Sequence, residues 1–564
     1  MAFLSCIGWK RSLTVSADNG GERVGSAAKS DKEGLGLTLF HSARITFAGA
    51  LLATAALLSG CIEQRSKEEL KDSLIHGFDS FVHTFDPARQ IYAQETIIMS
   101  VVLEGLARWN HDLELEPALA THWELSDDGM QWRFFLREGV TFHDGTPFNA
   151  DAVKWHFDRI MDPATASTRR TQLAEVDSVE VINDYEVMFH MRIPNSILVE
   201  RLASAFASIP SPAAYERYGS AISENPVGTG PYMFDEWKPD VHIRFKRNPD
   251  HWMADEYHLE RLEFRPIREN TTRLILLEQG ALDMANVAVP HVQVAERNPS
   301  IELQTTPALN IRYIGFNTGK PPFDDVRVRR AANYAINKEA MIKYSFFGVG
   351  EAATGPLPSI LADYNPDIYE YTYDPDRARE LLEEAGYGDG VTVTLWTHES
   401  GLYRLAADAV AEDLRRIGIN VRVQLYDNAT FTSNFDEYVL RTGERFPLRD
   451  GVYDMFLGGW VGGHTAHGFL DLLFHSESFS NKTFYANEEV DELLDAYKEL
   501  LTPEERRVAF HRIQEIVVEE APWIFAFHGQ ENIGYNSRVR GFRIDPAGRL
   551  FFEGVRVVDD EEEE

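Results

Sequence analysis

Apolar positions change their spacing along the chain, and the changes mark out the elements. Trp132 to Leu136 alternates as a strand, and Phe142-His143-Asp144-Gly145 follows as a strand end and tight turn, the glycine supplying a positive φ. Asn149 stands where a helix cap is expected, ahead of Val153, Phe157 and Ile160 on one helical face. Val179 to Ile193 predicts a hairpin turning at Asn183-Asp184, with Val187, Phe189, Met191 and Ile193 in period two. Further on, Val391 to Trp396 predicts a strand, and Leu402 to Ile417 a helix buried through Leu405, Ala409 and Leu414 with Gly418 at C′. Ile419, Val421, Val423 and Leu425 then alternate, and a strand-helix-strand succession implies parallel strands with a right-handed crossover. Asp374-Pro375 opens a helix closed by Gly386, and Thr502-Pro503-Glu504-Glu505 is a capping box for a helix ending before Pro522. A chain of 564 residues with this pattern and no internal repeat is an α/β protein of more than one lobe, with its ligand crevice expected between lobes.

The first sixty residues follow another logic. Ile45 to Leu58 is an uncharged apolar run of 14 residues, preceded by Arg44 and ended by Ser59-Gly60-Cys61. That length suits the h-region of a signal peptide, because a membrane-spanning helix needs about 20 apolar residues. The alternative is a short membrane anchor kept intact. Leu58-Ser59-Gly60-Cys61 resembles the bacterial lipobox, which implies lipidation of Cys61 and a mature chain that begins there. Residues 1–40 are mixed-charge and Gly/Ser-rich, so translation is expected to start downstream of Met1, near Leu37 or Leu39. Cys6 is the other cysteine, which leaves the mature chain without a disulfide and its fold resting on packing.

Charge narrows the partners. The formal net charge is −34, and a leader with six Lys/Arg and four Asp/Glu leaves −36 for the rest. Nucleic acid and anionic membrane surfaces are poor partners for such a chain, so membrane contact is expected only through the lipid. Residues 61–72 suit a tether, and Asp559 to Glu564 a solvated tail.

Several long motifs occur in fixed order. LATHWELSDDG from Leu119 runs into MQWRFFLREGVTFHDGTPFNADAVKWHFDRI, followed by Asn225-Pro226-Val227-Gly228-Thr229-Gly230-Pro231-Tyr232 and by YIGFNTGKPPFDDVRVRRAANYAIN from Tyr313 to Asn337. Gly355-Pro356-Leu357-Pro358 and YDPDRARELLEEAGY from Tyr373 complete the set. Together they resemble the family 5 extracellular solute-binding proteins, the group with dipeptide, oligopeptide and nickel receptors, over residues 73–545. The resemblance implies two α/β lobes joined by two crossing strands, closing on solute as a hinged trap, with a small extra subdomain on the N-terminal lobe. On that basis residues 1–60 are leader and signal peptide, 61–72 tether, and 73–265 the N-terminal lobe with a subdomain at about 88–200. Residues 266–525 form the second lobe, 526–554 return to the first, and 555–564 are the acidic tail. The hinges are expected near Arg265-Pro266 and Phe525 to His528. The implied function is that of an ABC-importer receptor, monomeric and without a cofactor, delivering a peptide-like solute or a metal chelate to permease subunits.

Site candidates concentrate in Gly458-Gly459-Trp460-Val461-Gly462-Gly463-His464-Thr465-Ala466-His467-Gly468-Phe469. Glycines such as Gly459 let backbone approach a ligand, and Trp460 offers a flat wall or a core residue. Peptide-binding relatives carry an aspartate three residues after this tryptophan for the ligand's ammonium; here that position is Gly463. Burying an ammonium without a counter-charge is costly, so simple peptides are disfavoured. The nickel receptors have a histidine seven residues after the tryptophan, where His467 stands, and His464 lies close enough to assist as a second metal ligand. Both histidines also fit a loop that contacts only water and backbone, or an organic solute. Phe85 and Tyr92 sit where family members line the cleft, with Tyr92 alternatively a buried aromatic. Arg170, beside Arg169, is either a counter-charge for an anionic chelate or a surface residue. Catalytic motifs are missing: there is no GxSxG, HExxH or cysteine pair, and Gly348 to Ala353 matches GxGxxA after a helix rather than a strand. An exported hydrolase or adhesive lipoprotein on a similar scaffold is the alternative to a receptor.

Overall fold

In a computed structural model, residues 72–90, 92–433 and 453–558 are described, all within the compact unit Arg65–Glu564. The apolar leader, Cys61, nearly all of the tether and the acidic run from Asp559 lie outside the described residues.

Two sheets organise the unit. The first has seven strands in the order 301–307, 530–536, 284–286, 73–78, 261–266, 242–247 and 232–238. Its central strand, Ser73–Phe78, is buried from Leu74 onward and pairs in parallel with Arg261–Pro266 and Met284–Asn286. Both faces are covered, one by a cluster around Phe78, Phe245 and Phe264, the other by Ile75, Leu277 and Leu282. The second sheet has the order 351–352, 523–528, 310–316, 455–461, 391–398 and 419–426. Val391–His398 pairs in parallel with both Ile419–Tyr426 and Met455–Val461, as a strand-helix-strand unit requires. The helix between the first two spans Gly401–Arg416, and Gly418 after it has φ +99°. Its buried face is Ala406, Ala407, Val410 and Leu414, while Leu405 is exposed. Leu405 was expected inside; the small alanines beside it let the helix lie close to the sheet and turn the leucine outward.

A four-stranded antiparallel sheet, 120–125, 131–136, 186–191 and 176–183, carries its own core with the helix Ala150–Met161. Asn149 caps that helix through its side chain, 3.1 Å from Ala152 N. The helix is tied back by a buried ion pair between Arg159 and Asp86.

The chain passes between the two large sheets at two adjacent places. Ile301–Pro307 belongs to the first sheet and Asn310–Phe316 to the second, and Trp523–His528 and Gln530–Asn536 make the reverse passage. The first crossing therefore falls at Ala308-Leu309, not after Arg265-Pro266, because the strands at 284–286 and 301–307 still pair within the first sheet. Hydrogen bonding continues through the crossing: Ala308 N donates to Gly529 O at 2.9 Å, and Gly529 N to Asn310 Oδ1 at 2.9 Å.

Candidate functional site

The parallel strands of the second sheet end at one edge, His398 level with Tyr426 and the third strand running on to Val461. Ligands of open α/β sheets bind beyond such carboxyl ends. Asn310–Phe316 runs the other way, so its first residues stand at the same edge, with Arg312 opposite Gly459 and Asn310 opposite Val461. A Cβ on Gly459 would lie 2.7 Å from both Cδ and Nη1 of Arg312. Glycine there gives the guanidinium room to lie across the neighbouring strand. Val461 is 67% exposed at this edge, and His398, Glu399, Ser400, Tyr403 and Asn428 line an open cavity of about 570 Å³.

The first sheet contributes from the other side of the crossing. Asp79, exposed, directly follows Ser73–Phe78, and Glu531 is the second residue after Gly529. Glu531 is half-buried, and burial, reinforced by Asp79, pushes its carboxyl up to about 7 against the pull of Arg312.

Trp460 lies within the strand Met455–Val461, on the core side, and its indole Nε1 donates to Gly468 O at 2.8 Å. It packs on the core and clasps the loop that follows. Gly463 is in the left-handed region at φ +78° with open space where a Cβ would be. His464 stacks on Trp109 of the N-terminal lobe, centroids 5.0 Å apart and planes at 6°, and burial holds its imidazole well below its usual range. His467 is the first residue of the helix His467–Phe474 and stacks on Tyr497 at 5.9 Å. Burial, with Arg201, Lys498 and Arg506 nearby, pushes His467 down to about 3, so its 3.8 Å approach to Glu200 is a contact of neutral imidazole. His464 sits in the loop and His467 starts a helix, and the two rings stack on different neighbours. Among the described residues no cluster of three or more His, Cys, Asp or Glu is placed to hold a metal ion.

Around His467 the subdomain meets the second lobe along a polar seam. Arg506 reaches Glu200 at 3.1 Å and Ser196 Oγ at 3.0 Å, and Lys498 reaches Glu175 at 3.3 Å. Ser196 Oγ donates to Leu500 O at 2.6 Å, and Ile197 is buried in the second lobe's core cluster. Burial pushes the Glu200 carboxyl up to about 7 despite Arg506.

The remaining candidates are dispersed. Phe85 is 1% exposed, packed edge-on against Trp237 at 5.4 Å, so it is a core residue and not a cleft wall. Tyr92 is 48% exposed, against His83 at 4.8 Å, rather than a buried aromatic. Arg170 is exposed on the subdomain, whereas its neighbour Arg169 binds Gln90 O at 2.9 Å. The sequence reading missed Arg312, Glu531, Glu200 and Arg506. Only Arg312 left a signal, a cation inside the apolar run Ile311 to Phe316.

Two sheets joined by paired crossing strands, with charged groups at the crossing, define a hinged α/β binding protein of the periplasmic type. The description of bacterial extracellular solute-binding proteins, family 5, matches residues 114–481. The chain belongs to this family of transport receptors, which are not enzymes. It is 32% identical to the glutathione-binding protein GsiB of Pectobacterium atrosepticum, over 87% of this chain and 95% of that one. HbpA2 from Haemophilus parasuis superposes with a TM-score of 0.77 at 27% identity, covering 86% of this chain and all of that one. DppA from Helicobacter pylori, solved with the peptide STSA, gives 0.71 at 26% identity, covering 87% and 100%.

Proposed function

We propose that this protein is the lipid-anchored receptor of an ABC importer for a small peptide-like solute of the glutathione kind, which it delivers as a monomer to permease subunits. The observation that carries the reading is the charged edge at the crossing, where, beyond the effect of burial, Asp79 raises and Arg312 of the other lobe lowers the Glu531 carboxyl, in a chain matching glutathione-binding relatives over nearly their full length. A peptide-like solute has both signs of charge and fits such an edge better than an apolar molecule does. Calorimetry of the purified protein with glutathione, a dipeptide, nickel ion and nickel-histidine tests it. Heat with glutathione and recovery of the compound unchanged are expected. Heat only with nickel-histidine would move the protein to the chelate receptors.

The anchor rests on Leu58-Ser59-Gly60-Cys61 after an apolar run too short to span. Cys61→Ala is expected to leave the precursor unprocessed or free the protein from membranes. Normal processing together with membrane retention of that variant would remove the lipid from the proposal.

A further inference from the structure

The resemblance to peptide-binding relatives implies a carboxylate for the solute ammonium at the position where Gly463 stands. We propose that Glu531 supplies this anionic seat from the opposite lobe, and that Arg312 seats a carboxylate of the same solute, so that the site reads an α-amino-carboxylate end. The inference rests on the peptide-like solute proposed above.

Position carries the first part of the case. Arg312 is two residues past Asn310 and Glu531 two past Gly529, and Asn310 and Gly529 are the hydrogen-bonded pair at the crossing. One group therefore stands on each lobe at the base of the cleft, where closure moves them least. Both are half-buried, yet neither has an ion-pair partner among the described residues. Among the described residues Arg312 makes one hydrogen bond, to Ile311 O at 3.4 Å. Of the other carboxylates that act on Glu531, Asp545 is held by Arg549 at 2.8 Å and Asp79 is exposed. Opposite charges that feel one another but do not meet leave a gap that a zwitterion can bridge.

The neighbouring backbone fits that use. Gly459 is the residue whose missing side chain leaves Arg312 its place, since a Cβ would touch Cδ and Nη1. Asp79, exposed beside Glu531, adds a second negative charge on the ammonium side. Burial first, then Asp79 and Asp545, outweigh Arg312 and push the Glu531 carboxyl up to about 7, so at neutral pH part of it is protonated. An arriving ammonium favours the carboxylate and expels that proton.

Calorimetry with glutathione and with N-acetylated glutathione, in buffers of different ionisation enthalpy at pH 7, tests the assignment. Glutathione is expected to bind wild type with release of a fraction of a proton. Glu531→Gln is expected to weaken glutathione about tenfold or more, abolish the proton release, and leave the acetylated compound unchanged. Glu531→Asp should restore part of the affinity. Arg312→Met and Gly459→Ala are expected to weaken glutathione similarly while the proton release persists. Wild-type binding that is indifferent to Glu531→Gln and Arg312→Met would overturn the two seats and leave the peptide-like solute standing. No binding of glutathione by wild type would overturn both.

Discussion

Arg506→Met is expected to weaken solute binding about 30-fold, without a comparable loss of fold stability. The guanidinium is 11% exposed and joins Glu200 and Ser196 Oγ across the seam between subdomain and second lobe, while also holding Leu500 O on its own side. Solute affinity includes the free energy of bringing the lobes together, so a seam between them is expected to add to binding. Removing one partner of a desolvated pair leaves the other buried and costs more than the pair contributed, here about 2 kcal/mol after protonation of Glu200 relieves part of it. That is about a 30-fold change in affinity.

The pH dependence has a definite sign. The Glu200 carboxyl is raised from 4.5 to about 7 in the seam, so closing the seam takes up a proton between those values. Closure is helped most below about 4.5 and loses that help as pH rises through about 7. Glu200→Gln should flatten affinity against pH over this window, and Glu200→Gln with Arg506→Met should cost less than Arg506→Met alone. Calorimetry from pH 5 to 8 on the three variants measures both effects. Additive losses and an unchanged pH profile would show that the seam does not contribute to closure.

Gly468→Ala is expected to cost about 3 kcal/mol of stability, the upper end for overpacking, and to disturb the loop that carries His464. A Cβ at 468 would lie 1.9 Å from Gly462 O, a backbone atom held by Gly462 N donating to Leu309 O at 3.2 Å. No side-chain rotation relieves that clash. Gly468 O also receives the Trp460 indole, so displacement of the loop releases the tryptophan and should shift its fluorescence. Gly463→Ala is the control: it meets nothing within 4 Å and suffers only from φ +78°, about 1 kcal/mol. Denaturant unfolding followed by tryptophan emission separates them. Equal stabilities of the two variants would mean that the loop adapts and that the glycine pair is not a constraint.

Local signals in the sequence reached as far as local physics does. Caps at Asn149, Asp374 and Thr502 were readable because each acts within three residues, and all three bond as their positions suggest. The strand read at Val391 to Trp396 and the alternation from Ile419 to Leu425 fall within the observed strands 391–398 and 419–426. Faces were harder: Phe85 stands beside Asp86-Pro87 in the chain, but nothing local says that it turns toward Trp237 and Phe245. The first crossing was misplaced because Arg265-Pro266 ends a strand as plausibly as Ala308-Leu309 does, and only pairing with strands far away in sequence tells them apart. Glu200 and Arg506 are 306 positions apart, and Arg312 and Glu531 acquire meaning only once both lobes are folded. A composition rich in carboxylates hides such residues.

The paired crossing strands carry a mechanical consequence. Pro307 pairs with Gln530, Ala308 with Gly529, and His528 Nδ1 lies 2.8 Å from Asn310 O, so the two connections form one ribbon. Two independent linkers would let the lobes slide, twist and bend separately, whereas a ribbon bends readily only about the axis lying across it. The swing between open and shut is then confined to a single coordinate. Distance probes attached anywhere on the two lobes should report one common rate, and occupancy should be legible from a single angle.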